Sequence, residues 1–326
     1  MKKLLALLMA LTCLALVGCM NTEESRDDSA KGVNAAEKPV IPEKLETDQD
    51  GVPILTVYNI ATEKLEKMDL ETYVTGVVAG EMRNDWPEEA LKAQAILART
   101  YVLKFVQDKT SKYSGADIST DVSEAQAYST ENINDRVKEA VEDTRGEVMS
   151  VNGEYPYAWF HAHAGGVTEL PSVALAYGDE DPSYLKPVQS PDSEEAPDTV
   201  KNWTATFTAQ QVAKACADAG VETGTVESIE IGSKGESGRV KEFVVNGKNV
   251  SAAELRINIG ANELKSTMID DVTLKDGKIT FTGRGFGHGV GMSQWGAYAM
   301  AKEGKDAEEI VEHYFQGVDI VELWDD

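Results

Sequence analysis

Cysteine is scarce: there are three in 326 residues, and two of these, Cys13 and Cys19, fall in the N-terminal apolar segment. Only Cys216 lies in the body of the chain, so no internal disulfide framework is available to staple it. Positive charge is also short, with 31 Lys and Arg against 56 Asp and Glu, a formal net charge of −25. That balance excludes nucleic acid as a partner, because phosphate binding needs a basic face. It equally excludes docking to anionic lipid by charge, and is what keeps an exported protein soluble. What is present, 42% hydrophobic and 27% charged residues, suits a globular body with a substantial core, as one large domain or two modest ones.

The chain opens MKKLLALLMALTCLALVGCM. Two lysines precede an apolar run of ~14 residues, too short for a comfortable membrane span of ~20, so the segment reads as a signal peptide. Its exit, Leu16-Val17-Gly18-Cys19, resembles the lipobox of bacterial lipoproteins. The resemblance implies lipidation of Cys19, removal of what precedes it, and a chain anchored at the extracytoplasmic face of the membrane. Residues 1–19 are therefore assigned as signal peptide, and 20–52, polar with Pro39 and Pro42 inside, as a flexible tether. Ordered structure is expected from Pro53.

Asp69 to Val106 organises the rest. Leu70, Tyr73, Val74, Val77 and Val78 form the i, i+3, i+4, i+7, i+8 stripe of a half-buried helix, with Asp69 as N-cap. Glu81 stands where this helix runs out, as either an exposed end or a desolvated acid. Asn84-Asp85-Trp86-Pro87 breaks the chain, and Asp85 with Glu88 predicts a capping box. Leu91, Ala95, Ala98, Val102 and Phe105 are the buried stripe of a second, long helix. Gln94 lies near that stripe and Arg99 one step round from it, at an interface or facing a cleft.

Further on, Glu147–Val151, the Asn152-Gly153 turn and Tyr155–His163 predict a hairpin. His161 and His163 would then share a strand face, a workable two-ligand geometry for a metal, with His288 a third. Cys216 falls on the apolar side of a helix over 209–219 and reads as an inert buried thiol. Short strands follow at 226–231, 240–245, 250–251, 272–274 and 278–282, with Asn246-Gly247 and Asp276-Gly277 as hairpin turns. Five glycines between 283 and 291 fit neither strand nor helix, and bring a backbone close to a ligand or to another segment. No Lys-Ser/Thr follows and no Rossmann pattern surrounds them, which sets a nucleotide loop aside. Helices are expected from Ser293 to Lys302 and from Ala307 to Gln316. The fold class is α+β, with helices and short-stranded sheets forming a substrate cleft. Residues 53–322 make one domain, or two lobes divided near 186–202.

Three stretches together resemble the stage II sporulation protein D (SpoIID/LytB) family of peptidoglycan lytic transglycosylases. The first is Leu70-Glu-x-Tyr73-Val-x-Gly-Val-Val-Ala-x-Glu81-Met with Gln94-Ala-x-x-Ala-Arg99-Thr-Tyr101. The second is Phe160-His161 with Gly165-Gly166-x-Thr168-Glu169. The third is Gly283-Arg-Gly-x-Gly-His288-Gly-Val-Gly-Met-Ser293-Gln294-x-Gly296. The resemblance spans roughly 54–320. It implies action on wall glycan strands, particularly strands stripped of stem peptides by a cell-wall amidase, with Glu81 as the catalytic glutamate. Gln94, Arg99, His161, Gly165, Gly166, Thr168, Glu169, His288, Ser293 and Gln294 are implied substrate-binding positions. Some members carry Cys and His, associated with a metal, before a Gln-x-Tyr. Here Asp117 to Tyr128, with Gln126-Ala-Tyr128, has neither, so no cofactor is expected and the family's zinc site lacks its ligands.

Glycoside cleavage needs a neutral acid to protonate the leaving oxygen. A lytic transglycosylase reuses the same carboxylate as base toward the sugar's own 6-hydroxyl, leaving a 1,6-anhydro end. Burial among Val77, Val78 and Met82 would keep Glu81 neutral. Arg99 is expected to pair with the lactyl carboxylate of a stripped muramyl residue. A second reading, implied by relatives called amidase enhancers, is a non-catalytic glycan binder that assists an amidase.

Overall fold

The computed structural model describes residues 36–324, so the signal peptide and Cys19 lie outside the described residues. The fold is α+β. Helix α1 spans Leu70–Glu81 and helix α2 Glu88–Asp108. Asp69 caps α1 as expected, its Oδ1 accepting from Thr72 N at 2.7 Å. All five residues of the α1 stripe are buried. Helix α2 starts differently from expectation. Pro87 is its N-cap, with no side-chain cap bond, and Asp85 instead pairs with Arg83 at 2.7 Å. Trp86 anchors the corner between the helices, its ring 4.6 Å from that of Trp295.

Ordered packing begins earlier than Pro53. Glu46–Thr47 pairs with the strand Pro53–Asn59, and Leu45 and Val52 are core residues. Pro53–Asn59 also pairs antiparallel with Lys64–Asp69, which feeds α1, and parallel with Ile118–Ser119. Two hydrophobic clusters organise the body. One joins buried residues from Leu45 to Leu185 with those from Val290 to Trp324, with α2 among its contributors. The other runs from Trp203 to Phe281. It is built on two three-stranded antiparallel sheets, Ile229–Lys234 with Val240–Val245 and Lys248–Ser251, and Trp203–Thr208 with Lys278–Gly283 and Ile269–Lys275. Asn246-Gly247 and Asp276-Gly277 turn these hairpins with positive φ at both residues, as two-residue turns require. Cys216 is buried in the helix Ala209–Asp218.

The hairpin expected around Asn152-Gly153 does not form. Only a Val151–Glu154 bridge closes the turn. Beyond it Tyr155 and Pro156 are buried, and Pro156 has no N–H with which to continue a ladder. Glu147–Ser150 pairs instead with Asp319–Glu322, and Phe160–His161 runs parallel to Met292–Ser293. That parallel pair brings the second and third motif stretches side by side. Among the described residues, no helix is long and apolar enough to cross a membrane.

Candidate active site

Glu81 is the last residue of α1 and is half-buried. It lines a cavity of about 470 Å³ together with Gln126, Trp159, His161, His288 and Gln294. Among the described residues lining that cavity, Glu81 is the only carboxylate. Glu81 also lines a second cavity of about 360 Å³ with Asn84, Asp85 and Asn132. Burial raises its pKa above the ordinary carboxylate range, against an opposing pull from the Ala127 N–H and the Gln294 amide. The Ala127 N–H donates to Oε1 at 2.6 Å. The C-terminal end of a helix carries partial negative charge, and it too disfavours the ionised form.

The opposite wall comes from the glycine-rich stretch. Gly287 has φ +106, and a Cβ there would stand 2.7 Å from the His161 Cβ; glycine is what lets this loop close on the Phe160–His161 strand. The Val290 peptide holds both histidines. Its carbonyl accepts from His161 Nδ1 at 3.1 Å, and its N–H donates to His288 Nδ1 at 3.0 Å. A carbonyl only accepts, so His161 carries its proton on Nδ1, and His288, by the converse, on Nε2. His161 Nε2 is left as a buried acceptor with no partner among the described residues. Burial, reinforced by nearby cationic groups, pushes His288 down to about 3 and His161 well below its ordinary value. Both rings are neutral at ordinary pH.

The other expected positions divide. Gln94 is fully buried on α2, behind Gln294: the Gln294 Nε2 donates to Gln94 Oε1 at 3.4 Å and to the Glu81 carbonyl at 3.2 Å. Ser293 caps the helix Gln294–Lys302 and donates to Asp192 Oδ1 at 2.5 Å. Thr168 and Glu169 are buried in internal bonds. The Thr168 Oγ1 accepts from Val188 N at 2.9 Å, and the Glu169 carboxylate accepts from Ser237 Oγ at 2.7 Å. Gly165 and Gly166 line a different cavity with His163 and Asp192. His161 and His163 therefore do not share a face: the strand stops at His161, and His163 turns to Asp192, 3.3 Å away. Among the described residues, no group of three or more His, Cys, Asp or Glu is placed to hold a metal.

Arg99 requires the largest correction. Fully buried, it donates Nε to Glu71 Oε1 at 3.0 Å, Nη2 to Glu71 Oε2 at 2.7 Å and Nη1 to the Glu147 carbonyl at 2.8 Å. Its bidentate carboxylate is internal, and its guanidinium does not reach the cleft.

Two residues of the site went unassigned in the sequence. Gln126 is buried, lines the Glu81 cavity, and has no partner for either amide atom among the described residues; its signal was the Gln-x-Tyr pattern. Arg239, just ahead of the strand Val240–Val245, is fully buried against Gly289, where a Cβ would fall 2.2 Å from its Cζ, and donates Nη2 to the Ala164 carbonyl. Nothing in the local sequence marks it.

Comparison with known proteins places the chain in a family. The family model "Stage II sporulation protein" matches residues 58–150, and a domain of unknown function, DUF8618, matches 177–291. Stage II sporulation protein D of Bacillus subtilis is 34% identical over 82% of this chain and 79% of its own length. Its namesake in Bacillus amyloliquefaciens is 33% identical over 82% and 78%. The amidase enhancer of Bacillus subtilis is 31% identical over 74% of this chain and 39% of its own. The chain belongs to the stage II sporulation protein D family.

Proposed function

We propose that this protein is a lytic transglycosylase that cuts peptidoglycan glycan strands to 1,6-anhydromuramyl ends, in cell-wall remodelling or sporulation. The observation that carries the reading is Glu81. Its pKa is raised by burial, and in the larger cavity that it shares with Gln126, His161 and His288 it is the only lining carboxylate among the described residues. Hydrolases that use water need two carboxyl groups flanking the bond. A single acid suffices when the nucleophile is the sugar's own hydroxyl. Neutral Glu81 gives its proton to the glycosidic oxygen as the C1–O bond breaks. The resulting carboxylate takes the proton of the 6-hydroxyl as that oxygen closes on C1, which returns Glu81 to its starting form. Gln126 and His161 line the same cavity, and their side chains hold buried polar atoms with no partner among the described residues.

The amidase enhancer among the relatives favours a second reading, a glycan binder that assists an amidase. Incubating the full chain with peptide-stripped peptidoglycan and weighing the products separates the two. Anhydro ends that vanish in Glu81→Gln support the lyase. Bound but uncut strands support the binder, and reducing ends would defeat both. The proposal includes a diacylglyceryl thioether on Cys19 at the extracytoplasmic face of the membrane, and an amidase that strips the strands beforehand. A chain extracted from membranes whose mass differs from that of its Cys19→Ser variant only by the exchange of sulfur for oxygen would remove the anchor.

A further inference from the structure

Beside the Glu81 cavity lies another of about 260 Å³, lined by Lys104, Tyr157 and Tyr177 and sharing Tyr101, Lys109, Ala158 and Trp159 with it. Its aromatic wall is ordered. Tyr157 and Trp159 stack at 4.5 Å and 8°, and Tyr177 meets both edge-on at 5.9 and 5.6 Å. All three rings are only half-buried. Tyr177 follows Ala176, which has φ +50, an unfavourable conformation for a residue with a Cβ. Strain at this position delivers the ring to the wall.

Two lysines, Lys104 and Lys109, and one carboxylate, Asp108, line this hollow in a chain that carries −25. Lys104 Nζ sits 4.5 Å above the Tyr157 ring and pairs with Asp108 at 2.9 Å. Lys109 is exposed, lines both cavities, and has no carboxylate partner among the described residues. Its ammonium lies 5.7 Å from the Phe105 ring centroid.

We infer that this hollow is a subsite for an anionic sugar of the strand held at Glu81, one pyranose or more removed from the scissile bond. The ring packs on Trp159 and Tyr177, and its carboxylate meets the Lys109 ammonium. An aromatic face suits the apolar C–H face of a pyranose, and a lysine with no internal partner suits a carboxylate at the rim. The inference rests on the glycan reading above. It transfers to Lys109 the carboxylate recognition that Arg99, locked to Glu71, cannot perform.

The test is equilibrium binding by the full chain carrying Glu81→Gln, so that strands stay whole. Three probes of equal length are compared: a peptide-free glycan oligosaccharide with free lactyl carboxylates, its methyl ester, and a neutral chitin oligosaccharide. A partly exposed ion pair predicts about threefold to fivefold tighter binding of the free acid than of the ester, fading with salt. Lys109→Ala removes that preference and leaves chitin binding unchanged. Trp159→Leu, which keeps apolar volume, and Tyr177→Ala, at a less buried position, weaken all three probes by about tenfold. A preference that persists in Lys109→Ala, or aromatic variants that bind like the parent, would overturn the subsite. Turnover does not enter these measurements. Absence of anhydro products from the chain with Glu81 intact defeats the lyase and leaves the subsite standing; equal affinity for the three probes does the reverse.

Discussion

Replacing Arg99 by alanine separates a structural arginine from a substrate-reading one. Arg99 is fully buried, Glu71 is 6% exposed, and the pair is closed by two bonds of 3.0 and 2.7 Å. Glu71 Oε1 also accepts from Gly146 N and from Trp324 Nε1, each at 3.1 Å, so one carboxylate ties α1 to α2, the 144–147 turn and the C-terminal segment. Arg99→Ala strands that carboxylate without a cation, which costs ~3–5 kcal/mol for a buried pair. At roughly 2–4 °C per kcal/mol for a domain of this size, the midpoint of thermal unfolding should fall by about 6–20 °C. Arg99→Lys keeps the charge but cannot reproduce the fork, and should melt between the two. Circular dichroism gives the midpoints, and retention on peptide-free glycan, measured cold on folded protein, gives binding. An Arg99→Ala chain that melts like the parent but loses glycan affinity would refute the reasoning and return Arg99 to the cleft.

The raised Glu81 carboxyl predicts that kcat/KM for strand cleavage falls on an alkaline limb whose midpoint lies above the ordinary carboxylate value of ~4.3. The sign for stability follows, because the folded state holds a proton that the unfolded state has already released. Stability is therefore lost as pH rises through the folded pKa. Glu81→Gln should be the more stable chain above that window and equal to the parent below it, as urea midpoints across pH will report. A limb at or below the ordinary value contradicts the burial argument. The His161 and His288 imidazoles should keep neutral chemical shifts between about pH 5 and 8, and titration of either by NMR would show that the site is wetter than described. Gly289→Ala puts a Cβ 2.2 Å from Arg239 Cζ at φ +88, and should cost ~1–3 kcal/mol in urea unfolding; an unchanged midpoint would mean that the guanidinium moves aside freely.

What was legible in the sequence was what neighbouring residues decide among themselves. The Asp69 cap and the hairpin turns at Asn246-Gly247 and Asp276-Gly277 form, because each is closed within a few residues. Pairing across long stretches was not legible. Glu147–Ser150 finds Asp319–Glu322, and no local pattern distinguishes that partner from the segment just beyond a good turn. Helix α2 hid Arg99 for another reason. Ala93, Ala95, Ile96, Leu97 and Ala98 are all buried, so the helix is covered nearly all round, and the stripe that should separate core from cleft loses its meaning. The two histidines failed with the strand: alternation argues for one face only while a strand lasts, and this one is two residues long.

The acidity of Glu81 is the property least visible in sequence, because opposing terms from distant segments set it. An N–H donated at 2.6 Å by Ala127 and the approach of the Gln294 amide both favour the carboxylate. Had these prevailed, Glu81 would be an ordinary ionised helix end. Desolvation outweighs them, and the surroundings of Glu81 come from three separate places: α1 itself, the 125–128 segment against Gly76 and Gly80, and the glycine-rich loop. That loop can approach only because residue 287 lacks a Cβ. At Gly289 the loop packs against the fully buried Arg239. The glycine-rich loop and the glutamate, some two hundred positions apart in the chain, therefore line one cavity.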